Sequence, residues 1–158
     1  MSKSSLNKDR AGKPYPRRCA ACGEVTVIQS HISYDAEVRH DGKLHEFHIP
    51  SLEIDECRNC KEQYFTSVTD DQMNLGLRKH LGLLCPDEIR AGLEKCSVNQ
   101  RTFAEHLGIA AETVSRWLSD STIQTRSLDR MMRLYFAMPV VRAALTDPQG
   151  IAANLSAK

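Results

Sequence analysis

Four of the six cysteines are spaced for metal chemistry. Cys19 and Cys22 form one Cys-x-x-Cys pair and Cys57 and Cys60 a second, with 34 residues between them. Each pair places two thiolates on one tight turn, at a separation that suits a single cation. Together they offer four soft ligands, the closed tetrahedral set of a structural Zn2+. Gly23 follows Cys22 directly, where a knuckle turn needs conformational freedom. The alternatives are two unrelated thiol pairs or a redox dithiol. A redox Cys-x-x-Cys belongs to a βαβ context, and none is legible here. A catalytic zinc would keep an open position and a protein-supplied base. His31, His40, His45 and His48 lie between the pairs. They could ligate, but with four thiolates available they are placed on the hairpin surface. The expected cofactor is one structural Zn2+ per chain. Cys85 and Cys96 flank a predicted helix and read as buried structural thiols.

A second constellation lies between Gln100 and Ser119, QRTFAEHLGIAAETVSRWLS. Asn99 is a good N-cap. Phe103, Ala104 and Leu107 form an apolar stripe, Gly108 stands where the chain must turn, and Ile109 packs in that turn. Val114 and Trp117 face inward from a second helix, and Ala104 is small where two helices cross. This is the helix-turn-helix pattern. In such motifs the second helix enters the major groove by its N-terminal part. Its candidate contacts are Ala111, Glu112, Thr113, Ser115 and Arg116. Arg116 suits guanine or phosphate, and Thr113 a thymine methyl or phosphate. Asn99 and Gln100 stand at the first helix's start, where side chains and backbone N–H groups meet phosphate. Glu112 repels phosphate but can accept from cytosine N4. The alternative is an ordinary helical hairpin with a solvated polar face.

The elements that must position these groups follow from periodicity. Val25 to Ile54 is extended in texture, and His40-Asp41-Gly42-Lys43 holds an Asp-Gly hairpin signal. This hairpin returns the second cysteine pair to the first. Pro50 is expected to interrupt the second strand or confine it to an edge. Tyr64-Phe65-Thr66 offers a short strand. Helical texture begins at Thr69-Asp70-Asp71, read as a cap, with Met73, Leu77 and Leu81 at helical spacing. Pro86-Asp87-Glu88 opens another helix. Ser127 is read as the cap of a last helix carrying Leu128, Met131, Met132, Tyr135 and Met138 on one stripe. That stripe reads as core, or, continued through Val140, Val141 and Leu145, as a dimer interface.

Length and charge set limits. The chain has 158 residues and net charge +1, room for one domain or two small ones. Residues 1–18 carry net +5, residues 19–85 net −5 and residues 86–158 net +1. Such asymmetry suits different partners for different parts. No apolar run is long enough for a membrane span, and the basic N-terminus lacks a signal-peptide core. A cytoplasmic protein without membrane contact is expected, and no nucleophile–base pair points to an enzyme. The fold expected is α+β with two domains. A flexible basic tail (1–18) precedes a four-cysteine zinc-binding β-hairpin domain (19–68) and a helical linker (69–85). An all-α, five-helix helix-turn-helix domain (86–146) and a flexible tail (147–158) follow.

CAAC, then about three dozen residues, CRNC, a helical linker and QRTFAEHLGIAAETVSRW together resemble the MqsA-type antitoxins, with a YgiT-type zinc finger and an Xre-type helix-turn-helix domain. SLDRMMRLYFAMPVV resembles the end of that domain, and the likeness spans residues 17–145. The resemblance implies metal ligation by Cys19, Cys22, Cys57 and Cys60 and DNA contact by Arg116. It also implies a zinc domain that neutralises a ribonuclease toxin. The C-terminal domain would dimerise, bind palindromic double-stranded DNA and repress its own operon. The family's asparagine one turn before the arginine is Glu112 here, which implies a different base preference. The basic leader and longer linker also depart from the family. Many relatives of this architecture are known only as transcriptional regulators, so a stand-alone zinc-containing regulator without a toxin is the alternative.

Overall fold

The computed structural model describes residues 14–147 and Gln149. Most of both expected tails therefore lies outside the described residues. The architecture is α+β, a four-stranded antiparallel sheet and six helices among the described residues. The chain divides into two compact units between His80 and Leu81.

The first unit is a long hairpin with short additions at its base. Strand β1 (Arg17–Arg18) pairs with β2 (Val25–His40), β2 with β3 (Lys43–Cys57), and β3 with β4 (Gln63–Tyr64). The turn is Asp41-Gly42, with His40 opposite Lys43 and both φ values positive, 49° and 72°. A two-residue hairpin turn needs that geometry, because it matches the twist of the strands. Pro50 does not break β3. Ile32 pairs with Leu52 and Tyr34 with Ile49, so Ser33 spans both Pro50 and Ser51. This bulge accommodates a residue without an N–H, as bulges do.

Two sequence expectations need correction here. The basic tail does not extend to residue 18, since Arg17–Arg18 are a strand. Tyr15 Oη donates to Asp55 Oδ1, and the Arg17 guanidinium lies 3.0 Å from Asp55 Oδ2 and over the Tyr15 ring. Asp55 is buried, and a buried carboxylate must be paired, which anchors this segment. Nor are residues 69–80 a linker. Helix α1 (Ser67–Leu81) belongs to the sheet unit up to His80. Thr66 and Thr69, not Thr69 alone, cap it, through a reciprocal pair of hydroxyl-to-backbone bonds. Thr69 Oγ1 donates to the Glu53 carbonyl at 2.6 Å, and Gln72 Oε1 accepts from the Glu53 N–H at 2.8 Å. Helix side chains thus satisfy the edge of β3 where β4 ends, which protects an otherwise open edge.

The second unit is helical: α2 (Pro86–Lys95), α3 (Gln100–Leu107), α4 (Ala111–Leu118), α5 (Arg126–Ala137) and α6 (Pro139–Thr146). Its core gathers Ile89, Leu93, Phe103, Val114, Trp117 and Met132. Phe103 meets Tyr135 edge-on at 5.0 Å and stacks on Phe136 at 5.3 Å, geometries that aromatic quadrupoles favour. The cap of α5 is Thr125, which accepts from the Leu128 N–H, rather than Ser127. The stripe on α5 also splits. Met132 and Tyr135 are core, whereas Met131 and Met138 are exposed beside Leu134. Cys85 and Cys96 flank α2 but are only partly buried.

Candidate metal centre and nucleic-acid interface

The two cysteine pairs meet at the base of the hairpin. The four Sγ atoms all lie within 4.8 Å of one another, with Cys19–Cys60 at 3.5 Å and Cys22–Cys57 at 3.7 Å. A tetrahedral ion bound to sulfur at ~2.3 Å sets sulfur–sulfur edges of about 3.8 Å. The cluster therefore has the size of a four-thiolate metal site, and all six cysteines are free thiols.

The two halves of the site are copies of one local structure. Cys19 N–H donates to the Glu24 carbonyl and Gly23 N–H to the Cys19 carbonyl. In the second half, Cys57 N–H donates to the Glu62 carbonyl and Lys61 N–H to the Cys57 carbonyl. Gly23 and Lys61 both have positive φ, 80° and 63°. The likeness extends to the hydroxyls. Tyr64 Oη lies 3.1 Å from Cys19 Sγ, and Thr26 Oγ1 lies 3.1 Å from Cys57 Sγ. Each hydroxyl comes from seven residues past the first cysteine of the opposite knuckle. Such outer partners orient ligands and stabilise their charge.

Electrostatics follow from these contacts. The Tyr64 hydroxyl, then the Cys22 N–H, hold the Cys19 thiol down at about 6. The Cys60 N–H, then the Thr26 hydroxyl, lower Cys57. Cys60 goes the other way, pushed up to about 12. The Glu62 N–H favours its thiolate, but desolvation and the neighbouring thiols of Cys19, Cys57 and Cys22 outweigh it. Thiolates packed this closely disfavour one another's ionisation, and a divalent cation among them removes that penalty.

In the second unit, Asn99 Oδ1 accepts from the Thr102 N–H at 2.8 Å. Gly108 ends α3 in the left-handed conformation, φ 68°. Phe103, Ala104, Val114 and Trp117 are buried between the helices. On α4, Glu112, Ser115 and Arg116 are exposed and Thr113 is half-buried. Ala111 does not stand outward with them: it is partly buried and packs against the core. Asn99 and Gln100 are both exposed. The Asn99 side-chain oxygen is occupied by its cap, which leaves its NH2 group as the polar end facing outward. The Arg90 guanidinium bonds the Leu118 carbonyl and fastens the end of α4.

Sequence reasoning missed Thr26, Lys61 and Tyr64. The equal seven-residue offsets were the available signal, readable only once the knuckles are known to be equivalent. The histidines form no metal cluster among the described residues. His31 and His48 are exposed. The His48 ring is held between Asp35 Oδ1, 2.7 Å from Nδ1, and Ser33 Oγ, 3.3 Å from Nε2. This has the connectivity of a hydrolytic triad, but the Asp35 side chain is 92% exposed, so water screens the carboxylate that would support the imidazolium. No helix among the described residues is long and apolar enough to cross a membrane. Comparison with protein-family models, curated proteins and solved structures found no match.

Proposed function

We propose that this chain is a sequence-specific DNA-binding repressor that carries one structural Zn2+ in its first unit. The observation that carries the reading is α3–Gly108–α4, with a left-handed corner, a buried inner face and Arg116 exposed on the second helix. Arg116 reads guanine, while Gln100 and the Asn99 amide position the motif on phosphates. Four thiolates at tetrahedral spacing favour Zn2+ among the divalent cations and leave no open position for water. The ion supplies cohesion to a unit whose own core is small. The chain acts as a homodimer on palindromic DNA, because two-fold sites mirror two-fold proteins. Exposed Met131, Leu134, Met138 and Val140 supply the apolar face for that contact.

The toxin-neutralising role rests on the resemblance to MqsA-type antitoxins. The net −5 of residues 19–85 also suits a basic partner such as a ribonuclease. A stand-alone regulator shares every feature except the toxin. Co-expression with any small ribonuclease encoded beside it separates the two: rescue of growth supports the antitoxin, and no rescue favours the regulator.

DNA from upstream of its own gene, titrated against a scrambled duplex, tests the main reading. Arg116→Ala is expected to weaken specific binding about tenfold or more. Gln100→Ala is expected to weaken both duplexes alike. Leu134→Glu is expected to give monomers by sedimentation and to lose operator binding. Equal binding of both duplexes by the parent protein would overturn the reading.

A further inference from the structure

A groove of about 460 Å3 opens between α1 and β3 within the first unit. Two local features make it. The bulge at Pro50–Ser51 displaces β3 from regular pairing. Gly76 lets the Phe47 ring lie against the helix backbone, since a Cβ there would come 2.8 Å from Phe47 Cε2. His80 stacks on the same ring at 5.7 Å.

The lining divides by chemistry. Phe47, Ile49, Pro50 and Leu75 make an apolar wall, and Leu75 remains 36% exposed at its edge. Lys79, Ser51 and Gln72 supply polar groups. His48 contributes ring surface, its two nitrogens being taken by Asp35 and Ser33. None of the lining residues carries a carboxylate, although acidic residues outnumber basic ones by eleven to six between positions 19 and 85. A small apolar cleft with a few convergent polar groups and a volume in the usual range is the form of a small-molecule site. Its charge selects the ligand: an anion is attracted by Lys79 and meets no like charge within the cleft.

We propose that this groove binds a small organic anion, with a planar apolar body against Phe47, Ile49, Pro50 and Leu75 and a carboxylate paired with Lys79. The proposal is independent of the DNA-binding reading, because every residue it uses lies in the metal-binding unit.

The full-length protein is titrated with 2-naphthoate and with its neutral isostere 2-naphthamide, followed by amide-resolved NMR. Saturable binding of naphthoate is expected, with shifts at Phe47, Ser51, Gly76 and His80. Naphthamide is expected to bind about fivefold more weakly, the weight of one exposed ion pair. Lys79→Gln should bring naphthoate down to the affinity of naphthamide and leave naphthamide unchanged. Leu75→Glu should weaken naphthoate about tenfold or more by placing a carboxylate at the edge. Both positions are exposed, so unchanged spectra away from the groove confirm the fold of each variant. Three results overturn the proposal: no saturation by about 10 mM, weaker than even a ligand of this size should be; shifts centred elsewhere; or equal affinity for the acid and the amide.

Discussion

Gly23 and Lys61 occupy equivalent positions in the two cysteine knuckles, and only one of them is a glycine. Each follows the second cysteine of its pair, each has a positive φ, and each donates its N–H to the first cysteine's carbonyl. The left-handed conformation costs an L-residue about 1–2 kcal/mol. Gly23→Ala is therefore expected to lower stability by about 1–2 kcal/mol, although nothing lies within 4 Å of the added Cβ. Lys61→Gly relieves the same strain but gains about 0.4–1 kcal/mol of unfolded-state entropy. It also loses an exposed contact to Glu56 at 3.6 Å. The second variant is expected to stay within about 0.5 kcal/mol of the parent. Urea midpoints of the metal-loaded proteins check the difference.

Removing the metal should unfold one unit and spare the other. The sheet unit's knuckle core contains only Cys19, Val27 and Cys57 as fully buried members among the described residues, so a bound ion would supply cohesion that packing does not. Freshly purified protein is expected to hold about one equivalent of Zn2+. A strong chelator under reducing conditions should abolish the sheet signal in circular dichroism. The single tryptophan, Trp117, is buried in the helical core, and its emission should not change. Cys57→Ser should reproduce the chelated state. Full sheet signal in metal-free protein would contradict a structural role.

Tyr15 should make stability sensitive to alkali. Burial, then its bond to Asp55, pushes the phenol up from 10.0 to about 12. The protonated phenol is thus the form the folded chain favours. Its contribution is complete below pH 10 and is lost as pH rises through about 12. With Tyr15 39% exposed, solvent limits that contribution to about 1 kcal/mol. Tyr15→Phe is expected to lower the urea midpoint at about pH 8 and to converge with the parent above pH ~12. A constant gap across that range would show that packing, not the hydroxyl, holds the segment.

Asp129 should be the most sensitive polar residue of the helical unit. It is 3% exposed, accepts from the Leu84 N–H at 2.7 Å and from Gln124 Nε2 at 3.0 Å, and pairs with Arg133 at 2.7 Å. Gln124 also donates to the Leu84 carbonyl, and Arg133 to the Gly82 carbonyl. Asp129→Ala leaves buried donors without an acceptor and is expected to cost about 2–4 kcal/mol. Trp117 fluorescence in urea reads the loss directly. Arg133→Ala, which removes only the half-exposed partner, is expected to cost about 1 kcal/mol.

The groups that carry chemistry here are close together in sequence, and so they are legible in it. Cys-x-x-Cys pairs, an Asp-Gly turn, an Asn cap and a glycine at a helix corner are local devices, each defined by a few consecutive residues. For that reason the two cysteine knuckles, the hairpin turn and the α3–α4 corner can be placed from the order of the residues alone. Contacts between distant residues cannot be read in this way. Tyr15 and Arg17 on Asp55, Thr69 and Gln72 on Glu53, Asp129 on Leu84, and Arg133 on Gly82 join positions 16 to 51 residues apart. None has a periodic signature. They turned the last two residues of an expected tail into a strand and most of an expected linker into the cover of a sheet edge. They follow from the need of every buried charge and open strand edge to find a partner, and tertiary packing alone decides which partner is near.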